Sequence, residues 1–154
     1  PYLSRGLGDV YKRQTLRRDR SYAFSPPAYD GGMPFSWKDA SNNDMSGDGW
    51  NGRQLAIHYY STEEYTQPEL FIIINMERSD VTYTLPTGRT WARLVDTQQY
   101  FDTPGTSDES GGYFDDTDAD IYASANITLD APEVIEGGSY TAVSTSIVIL
   151  EEVQ

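Results

Sequence analysis

Cysteine is absent from this 154-residue chain and histidine occurs once. Those two shortages exclude a disulfide framework, a thiol nucleophile, a zinc-thiolate site and a multi-histidine metal centre. Long apolar runs are also missing: the longest, Leu70 to Ile74 and Ile147 to Leu150, fall far short of the roughly 20 residues a membrane helix needs. Basic residues are few and unevenly spread, with 11 Lys and Arg against 24 Asp and Glu, and the last of them is Arg93. From Leu94 to Gln154 there are 13 acids and no base. A surface of that sign repels phosphate backbones and anionic lipid heads, so neither nucleic acid nor a membrane is an expected partner. Neutral ligands and cations are compatible with it.

What the chain does contain is material for one core. A hydrophobic fraction of 38% with 20 aromatic side chains fits one ordinary domain and leaves no room for a second. The opening residues stand apart. Ser4 to Gln14 has no strand alternation and no helical face, and it is basic in an acidic chain. Its eleven residues match, in order, one reading frame of a common transposon-based sequencing adapter. Residues 1 to 14 therefore read as adapter-derived, disordered and dispensable, with the protein proper starting near Thr15. Leu16 to Arg20 is helix material too short to be stable alone, as the tail of a longer helix would be. Ser25 to Gly32, with two prolines and two glycines, reads as a linker, so residues 15 to 32 form a helix end plus linker and residues 33 to 154 the main domain.

Strand signals dominate from Met33 onward: Pro34 to Trp37, Leu55 to Tyr60, Leu70 to Asn75, Val81 to Leu85, Trp91 to Val95, part of Ile121 to Leu129, Ser139 to Val143 and Ser146 to Glu151. Val81, Tyr83 and Leu85 alternate with threonines, as in a strand with one buried face. Leu70 to Ile74 is apolar on both faces and should lie centrally. About eight short strands with turn signals between them, and no helical run separating them, predict an all-β fold: an antiparallel, Greek-key-like sandwich preceded by a short helical remnant.

Candidate chemistry is sparse. His58 lies out of phase with Leu55, Ile57 and Tyr59, which points it away from the main core in a structural or solvent-facing role. No serine is nominated to complete a triad with it. Asp108 to Asp120 crowds six carboxylates into 13 residues. Asp116, Asp118 and Asp120 match the first three ligand positions of an EF-hand loop, but Ile121 replaces the required glycine and Ile127 the closing glutamate. An irregular calcium site and a solvated acidic loop are the two remaining readings, and the expectation is a mobile loop over 102 to 120 with no metal. Paired carboxylates for glycoside hydrolysis need rigid supports, which a Gly111-Gly112 loop does not offer. Trp37, Phe71, Tyr83 and Trp91 are expected in the core, while Trp50, Tyr65, Tyr100 and Tyr113 are candidates for stacking on sugars at the surface.

The order of these features resembles a known family. A helix tail ending at Arg20 and Tyr22 precedes Phe35-Ser-Trp37 and Gly49-Trp50. Leu55 to Tyr59, the apolar run ending in Asn75, Val81 to Pro86, Trp91 to Thr97 and the closing Ser146 to Leu150 follow in sequence. Together they resemble the C-terminal β-sandwich of isoamylase and glycogen-debranching glycoside hydrolases of the α-amylase superfamily, over about residues 15 to 152. The resemblance implies a parent that hydrolyses α-1,6-glucosidic branch points on a (β/α)₈ barrel lying upstream, with the sandwich packed against that barrel. It implies no catalytic residue, cofactor or metal ligand within this chain, because the family's acid and nucleophile belong to the barrel. A carbohydrate-binding module contacting α-glucan through surface aromatics is the alternative. The acidic stretch between Asp102 and Asp120 is not foreseen by the resemblance.

Overall fold

The computed structural model describes residues 12–24, 33–98, 127–129 and 132–154. The segment 25–32, the acidic stretch 102–120, Tyr100 and Tyr113 lie outside the described residues. Lys12, Arg13 and Gln14, which read as the end of the foreign segment, belong to a helix over residues 12–19 (α1). A second helical turn follows at Ser21–Phe24 (α2).

Among the described residues, eight strands form two antiparallel sheets. They are β1 (Phe35–Lys38), β2 (Gln54–Tyr59), β3 (Leu70–Asn75), β4 (Val81–Thr84), β5 (Trp91–Asp96), β6 (Glu133–Ile135), β7 (Ser139–Ala142) and β8 (Ser146–Glu152). Six of them make one sheet in the order β1-β2-β3-β8-β5-β6, and β4 pairs with β7 in the other. The expected all-β antiparallel sandwich is thus the fold. The doubly apolar β3 is flanked by β2 and β8, as its composition requires. The strand expected within Ile121 to Leu129 falls largely outside the described residues, with Ile127 bridging Val95; β6 is a strand that the sequence reading did not place. With β5 as its one partner among the described residues, β6 tolerates Glu133 and the preceding Pro132.

The central strands of the six-stranded sheet, β3, β8 and β5, are buried on both faces. Ala56, Phe71, Ile73, Trp91, Val148 and Leu150 point inward to meet Tyr83, Leu85 and Ala142 of the small sheet. Leu70, Ile72, Leu94, Val95 and Ile149 point outward to meet Leu16 and Ala23 of the helices. A bulge between Arg93 and Val95 inserts Leu94 without a partner on β8. That extra residue puts both Leu94 and Val95 in the outer layer and returns Asp96 to the side of Tyr140, to which it is hydrogen-bonded.

The asparagine closing β3 holds the two sheets together. Fully buried, Asn75 directs its amide Nδ2 at the carbonyls of Ser79, Ala142 and Val143 at 3.0, 3.0 and 3.1 Å, and its Oδ1 accepts the Glu77 N–H at 3.0 Å. An apolar residue would leave these backbone groups unpaired away from water. Asn75→Ala is expected to cost about 3 kcal/mol in denaturant unfolding, and a cost under about 1 kcal/mol would show that the backbone finds other partners.

Candidate functional site

The chain's one histidine belongs to a buried polar cluster centred on Glu69. Strand β2 puts Ala56 and His58 on the same inward face, so His58 lies between the sheets and not away from the core, contrary to the sequence expectation. Its side chain is 12% exposed and its ring packs against Phe71 and Trp91, with centroids at 5.8 and 6.0 Å. The apolar phase of β2 is the outer one, where Ile57 and Tyr59 are half-buried against the cluster that the helices enter, while His58 shares the inner phase with the buried Ala56.

His58 Nε2 lies 2.9 Å from Glu69 Oε2. Glu69, immediately before β3, is only 3% exposed, and its other oxygen accepts three hydrogen bonds. The donors are the Ser61 backbone N–H at 3.0 Å, the Ser61 hydroxyl at 2.8 Å and an Arg89 guanidinium N–H at 3.0 Å. Arg89 also pairs with Glu152 of β8 at 3.0 Å. Backbone bonds close the cluster, since Glu152 N–H donates to Glu69 O and Glu69 N–H to Glu152 Oε2. One buried carboxylate thereby ties β2, the 60–69 loop, the β4–β5 turn and the C-terminal strand together. Burial alone would raise the Glu69 pKa, but the bonds from Arg89, His58 and Ser61 outweigh it and hold it down to about 2. Burial is the largest influence on His58 and pushes it below its ordinary value, against the opposing pull of Glu69.

This arrangement is not a nucleophilic triad. A triad passes the serine proton to the imidazole, with the carboxylate behind it. Here the Ser61 hydroxyl donates to the carboxylate, and a carboxylate whose pKa is held down to about 2 is a poor proton acceptor near neutrality. The cluster acts as a clamp. The sequence did not nominate Glu69, Ser61 or Arg89, which lie 11, 8 and 20 residues from the partners they meet.

A second cluster ties the small sheet to β5. Tyr140 donates its hydroxyl to the buried Asp96 at 2.5 Å, Arg93 donates to the Tyr140 oxygen at 3.3 Å, and Arg93 pairs with Glu133. Burial, reinforced by Asp96, raises the tyrosine pKa. A third contact joins the helices to the sandwich: Arg20 grips Glu151 of β8 through two bonds of 2.6 and 2.8 Å. No group of described residues could hold a metal ion, and no described helix is long and apolar enough to cross a membrane.

Of the aromatic residues assigned from sequence, Phe71, Tyr83 and Trp91 are buried as expected. Trp37 is not. At 38% exposure it joins Trp50 and Phe35, each 51% exposed, in a row along the β1 edge. Trp37 lies 6.0 Å from Phe35 at an interplanar angle of 87° and 5.9 Å from Trp50 at 69°. The rings meet edge to face. Tyr65 is half-buried.

No family model matches the sequence, and no curated protein matches it. Among solved structures, the α-amylase from H. orenii is similar at 12% identity with a TM-score of 0.42, over 90% of this chain and 18% of that one. The chain therefore spans less than a fifth of that protein's length.

Proposed function

We propose that this chain is the non-catalytic C-terminal sandwich of a debranching glycoside hydrolase, whose barrel cleaves α-1,6-glucosidic bonds in glycogen- or starch-like glucans. The sandwich stabilises that barrel by packing against it. The observation that carries this reading is the seating of residues 15–24 on the outer face of the large sheet. Leu16 and Ala23 enter its apolar layer and Arg20 grips Glu151. A helical end anchored this way gives a preceding domain a fixed attachment, and the order of sequence elements from Arg20 to Leu150 supports the same assignment. Against the glucan-binding module, the exposed rings are crossed at 87° and 69°, so they offer no flat row on which successive sugars could lie.

On this reading the fragment releases no reducing sugar from pullulan or glycogen. The longer protein encoded by the gene, extended upstream of Thr15, does so under the same conditions. Turnover by the 154-residue chain above a buffer control, abolished by a single substitution such as His58→Ala, would overturn the assignment.

A further inference from the structure

The row of exposed rings lies on the same side of the sheet as the helices. Register places Phe35 opposite Tyr59 and Trp37 opposite Ile57, and both Tyr59 and Ile57 pack against the outer cluster that Leu16 and Ala23 enter. Phe35 continues that layer directly, its ring 5.5 Å from Tyr59. The apolar surface the helices cover therefore runs on to the β1 edge, where no described residue covers it. We infer that Phe35, Trp37 and Trp50 form a protein-docking strip, and that its occupant is an apolar flank of the domain to which residues 15–24 belong. The inference rests on the reading above, where that domain is the catalytic barrel.

Three features fit a protein occupant. The rings are interlocked edge to face and held by a strand and by the short 3₁₀ turn Gly47–Asn51, so little side-chain freedom remains to be lost on docking. Exposed tryptophans in a contiguous apolar patch are the residue type that anchors protein interfaces. The charge on β1, Lys38, is paired with Asp44 at 2.8 Å. Continuity with the helix-covered layer then sets the direction from which the occupant comes.

Hydroxyl-radical footprinting with residue-level mass spectrometry tests this on the 154-residue chain and on the longer protein recovered from the gene. Oxidation of Trp37 and Trp50 should be rapid in the chain and at least about fivefold slower in the longer protein, because an interface core excludes water. Trp91, buried in both, should react slowly in both. Equal rates at Trp37 and Trp50 in a longer protein that does carry a barrel would overturn the docking strip and leave the functional reading intact. Protection in a longer protein with some other upstream domain would keep the strip and overturn the barrel. Protection of the 154-residue chain by maltoheptaose alone would replace the protein occupant with glucan.

Discussion

Replacing Trp91 with alanine should lower the unfolding free energy by about 3 to 5 kcal/mol, among the largest effects any single substitution has on this domain. The ring is 2% exposed and sits at the end of the sandwich. It touches Phe71 and His58 at centroid distances of 6.0 Å each, and its Nε1–H donates to the Pro86 carbonyl at 3.1 Å. The turn before it, with Gly88 at a φ of +76°, folds the chain back so that the indole closes over the core from its own strand. Alanine would leave a cavity beneath that turn and an unpaired carbonyl at its edge. Trp91→Phe separates the two contributions. It should recover most of the packing and lose only the hydrogen bond, about 1 kcal/mol. A loss under 1 kcal/mol for Trp91→Ala, read from urea unfolding at pH 7, would place the ring outside the core.

Truncating Glu69 should cost a similar amount and also change the pH dependence. Glu69→Ala leaves the His58 and Ser61 donors unpaired around a buried void, and leaving a buried polar group without its partner costs about 1 to 3 kcal/mol for each group. The ordinary glutamate pKa of 4.5 falls to about 2 in the fold. A lowered folded pKa means that the stabilisation is fully present above pH 4.5 and is lost as the pH falls through 2. At about 1.4 kcal/mol per pH unit the loss is on the order of 3 kcal/mol. The lowered pKa of His58 acts in the same direction, its contribution being present above the ordinary value of 6.5 and declining as the pH drops below it. Wild-type stability should therefore be level above pH 7 and decline in two stages in acid. Glu69→Gln should remove the lower stage and His58→Gln the upper one. A wild-type profile flat between pH 7 and 3 would show that neither group is linked to folding.

The sequence alone determined the fold class and most strand positions. Strand patterns are local: the alternation of Val81, Tyr83 and Leu85, the apolar run from Leu70 to Ile74 and the turn glycines each declare themselves within six residues. The burial of Trp91 was also legible, because a large ring directly after a tight turn has one nearby place to go. Tertiary structure decided everything that depended on what covers each face. Helices seated on the outer layer partly cover Ile57 and Tyr59, so the apolar phase of β2 faces them and His58 shares the inner face with Ala56. The β1 edge, which no described residue covers, left Trp37, expected in the core, half in solvent. Glu69 was invisible for the same reason, since a glutamate is stable in a core only where several donors converge. Its donors come from β2, the following loop and the β4–β5 turn, and its backbone partner Glu152 lies 83 residues away. No local pattern encodes such a convergence, because the cost of burying the charge is met only after the sheets have closed and brought those segments together.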